Sequence, residues 1–294
     1  MKIQIVRFLL VPGLAALPGL LQAQPSAHYV PGSEGIKGAS LPPPGVYARD
    51  YNYFYWAGQF NDPSGNDAHV PNADVFTYAN IPRVIWITDT KALGGFVGVD
   101  ALLPLVYQSV KAGGFDSSTL GIGDLFAEGT LSWHLKQFDF AIGSGVWAPT
   151  GDSGPPPTTR AGAGFWTFMQ TAGATWYIDE GRTWAVSALN RYEFSTEQRD
   201  TDVIPGQTYT LEWGVSKTLN KVIDVGPVGY YQQQVNPNSG TSWSSRSRVA
   251  AIGPEVSVAF PKQMFFVSLR YNYEFMAESR AQGNAITLTL TKRF

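Results

Sequence analysis

The chain has 294 residues, a formal net charge of −2 and no cysteine. This near-neutral balance excludes the strong basic bias of nucleic-acid-binding proteins, and the absence of cysteine excludes a disulfide framework. Charged residues make up only 15% of the chain, against roughly 25% in soluble domains, so we expect a surface that does not face water throughout.

Residues 1–23 are predicted to be an export signal peptide. Lys2 and Arg7 supply positive charge, an apolar run extends from Phe8 to Leu21, and a small-residue cleavage site follows at Ala23. A transmembrane anchor is the alternative interpretation, but proline and glycine interrupt the run, and it is shorter than the ~20 residues that a spanning helix needs. We therefore expect cleavage after Ala23 and export of the mature chain.

Residues 24–45 form an arm that is rich in Gly, Pro and Ser and has no hydrophobic period. Its segments HYVPG and LPPPG cannot join a β-ladder, because proline lacks the backbone N–H. Two interpretations remain open: a plug or gate folded into the periplasmic mouth of a pore, or a floppy periplasmic tail. The candidate plug residues are His28, Tyr29, Pro31, Pro42, Pro43 and Pro44.

From residue 46 to the end, extended runs alternate with turn sequences, and helical periodicity with capping residues is absent. We predict twelve strands, the even number expected of a closed bacterial barrel. Their bounds are 46–58, 74–89, 94–108, 119–135, 138–149, 165–178, 183–197, 207–219, 222–234, 248–260, 264–277 and 283–294. The predicted fold is therefore an all-β, twelve-stranded antiparallel barrel over residues 46–294. We expect it to lie in the outer membrane of a Gram-negative cell.

The connections between these strands alternate between short and long. The longer ones are 59–73, 109–118, 150–164, 198–206 and 235–247, with a shorter one near 278–282. In outer-membrane barrels the short turns face the periplasm and the long loops face outside. This alternation predicts that both chain termini lie on the periplasmic side.

Side-chain alternation assigns a polar face to each strand, because successive residues of a strand point to opposite sides. The apolar face is either the core of a soluble sheet or a lipid-facing wall whose polar face lines a lumen. Under the barrel interpretation, the polar faces supply the lumen-lining residues Asp124, Glu128, His134, Arg191, Glu193, Glu212, Arg270, Asn272 and Glu274. These groups either fill a narrow bore with a structural network or select the solutes that pass, and both roles are compatible.

Aromatic residues on the apolar faces decide in favour of the barrel, since they collect near both strand ends around an aliphatic middle. The predicted membrane-interface aromatics at the periplasmic ends are Trp133, Phe138, Trp176, Trp184, Phe260, Phe265 and Phe294. The aromatics assigned to the other end are Tyr55, Trp166, Phe168, Phe194, Tyr209, Tyr273 and Phe275.

Catalytic and metal sites find little support in the sequence. Only three histidines exist, at positions 28, 69 and 134, and no cysteine could complete a zinc site. Ser132 and His134 share a strand face, but their order is the reverse of that in outer-membrane phospholipases, and their predicted face is the lumen. We therefore predict no catalytic residues, no metal and no cofactor.

Short motifs in a fixed order resemble those of the outer-membrane proteins of the meta-pathway phenol degradation family. They are HYVPG at His28, LPPPG at Leu41, YNY at Tyr51, GDL at Gly123 and APTG at Ala148. The resemblance covers nearly the whole mature chain. It implies a channel or transporter for hydrophobic compounds, here small hydrophobic or aromatic solutes. It does not imply that the chain degrades phenol.

A different function remains open beside the channel. In that alternative the barrel is a sealed structural or adhesive protein whose extracellular loops bind partners. The loops 151–164 and 236–247 would then be the working parts.

Removal of Phe294 is expected to prevent assembly. The closing strand, with alternate apolar residues and a terminal Phe, resembles the strand that the barrel-assembly machinery reads in outer-membrane proteins. The expected result is loss of the heat-modifiable band in gels of outer-membrane fractions. Normal assembly of the shortened chain would contradict the barrel interpretation.

Overall fold

Alternating polar and apolar side chains build one antiparallel sheet in this protein. The computed structural model describes residues 27–153, 158–199, 201–242 and 244–294. The predicted signal peptide and the first residues of the arm, 24–26, lie outside the described residues. The strands are β1 Gly45–Phe60, β2 Asp74–Ala92, β3 Gly95–Leu102, β4 Leu105–Ala112, β5 Phe115–Ile122, β6 Leu125–His134, β7 Phe138–Ala148, β8 Thr167–Tyr177, β9 Trp184–Ser195, β10 Thr208–Leu219, β11 Ile223–Gln234, β12 Arg248–Phe260, β13 Phe265–Glu278 and β14 Ala281–Arg293.

The sheet closes on itself, because β1 pairs with β14 on one side and with β2 on the other. β3 and β4 pair with successive parts of β2, while β6 and β5 pair with β3 and β4. The fourteen strands therefore occupy twelve strand positions around the barrel. Two of these positions are interrupted, one shared by β3 and β4 and the other by β5 and β6. This confirms the predicted twelve-stranded antiparallel barrel.

The two interruptions lie side by side and correct the predicted strands 94–108 and 119–135, which were continuous. Pro104 has no N–H to donate to a ladder, so the chain is interrupted there between β3 and β4. Between β5 and β6, at the neighbouring interruption, Gly123 donates its N–H to the Pro104 carbonyl at 2.8 Å. The 149–166 connection covers the edge of β5, since the Asp152 N–H donates to the Ile122 carbonyl at 2.8 Å.

The predicted loop 109–118 is wrong. β4 and β5 continue through it and meet at a two-residue turn formed by Gly113 and Gly114. Both glycines have positive φ, 57° and 95°, which is the backbone conformation that a tight hairpin turn needs. One of the expected long loops is thus a long hairpin.

The barrel has a terminus end, where Gly45 and Phe294 lie, and a loop end, where the long connections lie. The predicted aromatics of the terminus end lie on the outer face, with Trp133 and Phe265 half-buried and the other five exposed. One assignment at the loop end is wrong. The Tyr55 side chain is buried inside the barrel and donates its hydroxyl hydrogen to Glu274 at 2.9 Å.

Among the described residues, no helix is both long and apolar enough to cross a membrane.

Candidate functional site

The arm, described here from residue 27 to residue 44, lies inside the barrel and runs along its length. At the terminus end, the carbonyls of Pro43 and Pro44 accept hydrogen bonds from Tyr47 Oη and Arg293 Nη2, at 2.7 and 2.9 Å. At the loop end, His28 reaches Asp124. The arm therefore lies deeper in the barrel than the mouth, where one of the two interpretations of the sequence placed it.

Carboxylates of the barrel wall bind the backbone of the arm. The arm has no ladder partner, yet its buried N–H groups still require acceptors. Three glutamates on the inner face supply them. The bonds run from His28 and Tyr29 to Glu193 Oε1 (3.1 Å each), from Gly32 and Glu34 to Glu212 Oε1 (2.9 and 3.0 Å), and from Ile36 to Glu255 Oε2 (2.8 Å).

Two glycines allow the arm to come this close to the wall. A Cβ added at Gly35 would lie 1.9 Å from Glu255 Oε2 and 2.4 Å from Arg270 Nε. Gly32 has a φ of +84°, and a Cβ there would lie 2.9 Å from the Tyr230 ring. Glycine is the residue that permits both close backbone approach and positive φ.

Glu34 links the arm to the first two strands through its side chain. Its carboxylate accepts a hydrogen bond from Tyr51 Oη at 2.5 Å and forms ion pairs with Arg49 and Arg83 at 3.3 and 3.5 Å. Burial alone would raise the pKa of Glu34. The guanidinium groups of Arg49, Arg83 and Arg191 and the hydrogen bond from Tyr51 together hold this pKa below the usual value. Glu34 is therefore a carboxylate in the docked arm.

The nine residues predicted to line the lumen are all on inward-facing positions, and all except His134 are buried. Arg191 Nη1 pairs with Glu212 Oε2 at 2.6 Å, and its guanidinium lies 3.9 Å from the centre of the Tyr29 ring. Tyr29 in turn donates its hydroxyl hydrogen to the same Glu212 oxygen at 2.6 Å. Arg270 forms two bonds with Glu255, at 2.9 and 3.1 Å. These charges are thus paired with each other or with the arm.

The remaining predicted lumen residues lie at separate points of the wall. Asn272 lies beside Gly32, and Glu274 accepts hydrogen bonds from two tyrosine hydroxyls at 2.9 Å each. Glu128 lies 3.8 Å from Arg83 Nη2. His134, near the terminus end of the barrel, has its Nδ1 atom 3.1 Å from Asp139 Oδ1.

The structure does not join Ser132 and His134. The Ser132 hydroxyl is buried and has no hydrogen-bond partner among the described residues, whereas the His134 ring faces Asp139. A nucleophile must bond its base to be activated. This pair therefore has no hydrogen bond of the kind that activates a serine.

The candidate plug residues differ in how deeply they lie. Tyr29 and Pro31 are buried, His28, Pro42 and Pro44 are half-buried, and Pro43 is exposed at the terminus end. The deepest contacts of the arm therefore come from its HYVPG segment, and the LPPPG segment forms its exit from the barrel.

At the loop end of the arm, His28 and Tyr29 together lie among three aromatic rings and a methionine, which we call the aromatic cage: Phe126, Trp147, Phe165 and Met169. The His28 imidazole stacks on Trp147, with ring centres 5.4 Å apart and an angle of 15°, and meets the edge of Phe165 at 4.7 Å. Its Nε2 and Nδ1 atoms lie 2.9 and 2.8 Å from Asp124 Oδ2 and Thr167 Oγ1. Tyr29 packs on Phe126, Trp147 and Met169.

Two polar atoms of this region lack partners among the described residues although they are buried. They are Trp147 Nε1, a donor, and Glu193 Oε2, an acceptor. Buried polar groups are normally hydrogen-bonded. The cage therefore combines stacking surfaces with one unsatisfied donor and one unsatisfied acceptor nearby.

The sequence prediction missed several inward charged residues, among them Arg49, Arg83, Asp100 and Glu255. Glu255 could have been found, since Val256, Val258 and Phe260 mark the opposite face of its strand. Arg83 gave no such signal. Its strand carries apolar residues on both faces, with Ile85 buried inside and Val84 exposed outside.

Comparison with known proteins places this barrel among relatives. The family model described as "Putative MetA-pathway of phenol degradation" matches residues 57–290. The COG4313 outer membrane channel from Pseudomonas putida F1 is similar in structure, with a TM-score of 0.79 and 14% identity over 90% of this chain and 100% of that chain. At that identity the similarity shows a shared fold.

Two further outer-membrane proteins are only weakly similar in structure to this barrel, and this similarity indicates nothing about its function. The Pseudomonas putida toluene transporter TodX gives a TM-score of 0.45 and 11% identity, over 92% of this chain and 95% of that chain. The CymD monoaromatic hydrocarbon channel gives a TM-score of 0.43 and 12% identity, over 86% of this chain and 89% of that chain. No curated protein matches the sequence.

Gly35→Val is expected to release the arm, because the new side chain would overlap the Glu255–Arg270 pair. Lys37, which pairs with Asp224 at 2.8 Å in the docked arm, should then become open to trypsin. The measurement is the rate of cleavage after Lys37 in folded protein, and we expect an increase of at least tenfold.

Gly58→Val is the matched control, since a Cβ at that position meets nothing within 4 Å. Both variants should keep a heat-modifiable barrel. Equal cleavage rates in a folded Gly35→Val barrel and in the control would contradict the importance of this close approach.

Proposed function

Because the chain belongs to the family of the MetA-pathway of phenol degradation, we propose that it is an outer-membrane channel through which small hydrophobic or aromatic compounds enter passively. The observation that carries the proposal is the aromatic cage, which lies inside the barrel and is occupied by the chain's own His28 and Tyr29. A flat ring suits this cage, since aromatic pairs prefer stacked and edge-on contacts. Transport needs no cofactor.

In this proposal the signal peptide directs export, the barrel-assembly machinery inserts the barrel by its closing strand, and outer-membrane lipids cover the outer face. The exposed apolar side chains of that face support the last point, among them Val84, Leu269 and Phe275. A soluble protein rarely exposes so continuous an apolar surface.

The arm acts as the gate of the proposed channel. Its His28–Tyr29 end fills the cage. Its polar contacts with the wall include hydrogen bonds to carboxylates, a few ion pairs and hydrogen bonds from wall side chains to its carbonyls. Such charge-assisted bonds contribute roughly 1.5–3 kcal/mol each. They hold the arm in place, but each can exchange with water when the arm leaves. A solute would enter the cage as the arm vacates it.

Deletion of residues 24–43 is expected to open the bore. The barrel without these residues, refolded in detergent, should show a higher single-channel conductance in planar bilayers than the full mature chain. The physical reason is that the inward carboxylates and guanidinium groups would face water instead of the arm. Unchanged conductance of the folded deletion variant would contradict the gate.

Trp147→Leu is expected to lower aromatic uptake roughly 2- to 10-fold, because one aromatic pair contributes about 0.5–1.5 kcal/mol. The measurement is growth of a deletion strain, complemented with each variant, on a panel of aromatic carbon sources at limiting concentration. Trp176→Leu is the control, since that indole lies on the outer face. Growth that depends equally on both positions, or on neither, would contradict a role for the cage.

The sealed barrel remains the second candidate, and the docked arm favours it, because eight of the nine predicted lumen residues are buried beneath it or against their neighbours. In that case the loops 151–164 and 236–247 would bind partners at the cell surface. Liposome swelling separates the two functions. Permeability of the full mature chain to small solutes supports the channel, and tightness of both this chain and the arm deletion supports the sealed barrel.

A further inference from the structure

The outer face of the β1–β2 pair carries a polar cluster midway between two aromatic ends. Val46 lies opposite Trp86 at the terminus end, and Trp56 lies opposite Phe76 toward the loop end. Between them this face presents four rows, and the two central rows hold polar side chains. Going from the terminus end, the rows are Ala48–Val84, Asp50–Pro82, Asn52–Asn80 and Phe54–Tyr78.

Strand alternation fixes the direction of these side chains. Tyr51 and Tyr53 are buried inside the barrel, with exposures of 3% and 7%. Asp50, which precedes Tyr51, and Asn52, which lies between the two tyrosines, therefore point outward. The cluster is internally bonded. Asn52 and Asn80 each donate from Nδ2 to the Asp50 carboxylate at 2.8 Å, and Tyr78 Oη donates to Asn52 Oδ1 at 2.9 Å.

The cluster still has hydrogen-bonding capacity that faces outward. A carboxylate can accept about four hydrogen bonds, and Asp50 accepts two from the described residues. None of the described residues donates to Asn80 Oδ1. The Asn80 amide donates to Asp50 and, at 3.3 Å, to Asn52 Oδ1, whereas the Asn52 amide donates to Asp50 and keeps one N–H hydrogen that is not used. Charges on the lipid face of a barrel are destabilising, most strongly for basic residues at mid-depth and less for Asp.

We propose that this outer face of β1 and β2, centred on Asp50, Asn52 and Asn80, binds the same face of a second copy of the chain. Two barrels in one membrane can pair about a two-fold axis along the membrane normal, and such an interface brings each residue to the depth of its counterpart. The cluster carries both donors and acceptors, so it is complementary to itself. The Asn52 amide of one copy would donate to Asp50 of the other.

The surroundings of the cluster fit a partner wall. Ala48 and Pro82 are small, so two walls can approach closely at this depth. Leu288 and Leu290 lie beside Asn52 and Asp50 on β14 and give an apolar border. On the far wall, the outer face of β8 carries Ala172 and Ala174 at mid-strand. Their polar neighbours Gln170 and Asn190 are uncharged. The inference rests on the membrane location in the proposed function, but not on transport.

The absence of cysteine makes a direct test possible. Ala48→Cys should give a disulfide-linked dimer when outer membranes are treated with copper phenanthroline. Ala172→Cys, on the outer face of β8, is the matched control and should remain monomeric. No dimer from Ala48→Cys, equal dimer from both variants, or a cross-linked product of another mass would overturn the proposal.

A second experiment tests whether the polar groups cause the pairing. Asp50→Leu, Asn52→Leu and Asn80→Leu together, in the Ala48→Cys background, should reduce cross-linking at least fivefold while the heat-modifiable band remains. Persistent cross-linking would overturn the role of the cluster. If the triple variant does not fold, Asn80→Ala alone should still reduce cross-linking. An unchanged yield of cross-linked dimer would then overturn the role of the cluster. Aromatic uptake is measured separately, so the proposed function can fail while the dimer stands.

Discussion

The structure depends on one kind of interaction, in which inward carboxylates of the barrel wall accept the backbone N–H groups of the arm. Two amides of the described arm bond within it, Gly38 to Gly35 and Ser40 to Lys37. The amides of residues 28, 29, 32, 34 and 36 bond instead to carboxylates of the wall, because buried N–H groups require acceptors. Glu193 and Glu212 each bind two amides through a single oxygen. The same Glu212 also binds Arg191 and Tyr29 through its other oxygen. One side chain therefore joins the wall network to the arm.

This arrangement gives the lumen charges a common physical role. A carboxylate that faced an empty bore would be hydrated, whereas here it is buried and must be matched by donors. Guanidinium groups supply part of the match and the arm supplies the rest. The structural and the selective roles of these residues are thus linked, since moving the arm would change both the solvation of the charges and the free cross-section of the bore.

Much of the barrel can be predicted from the sequence, because side chains that alternate every two residues mark the strands and the face to which each residue points. The places where the alternation stops mark the turns. Ten of the twelve predicted strands have single counterparts in the structure, and the closing strand fixes the parity of its neighbours. The failures have local causes. Gly113 and Gly114 look like part of a loop but form a hairpin turn, and Tyr55 lies on a strand with aromatic residues on both faces. The path of the arm could not be predicted, since a segment without periodicity is positioned by the carboxylates, donors and aromatic rings of the wall that it meets.

The direct connection of the arm to β1 has a consequence for the order of assembly. β1 forms the seam with β14, the pairing in the barrel that joins the most distant parts of the chain, and contacts of large sequence separation carry a high entropic cost. Gly45 follows the arm without any linker. Pairing of β1 with β14 therefore brings the arm to the lumen in the same step. The barrel can close around the arm, and the arm does not have to enter a barrel that is already closed.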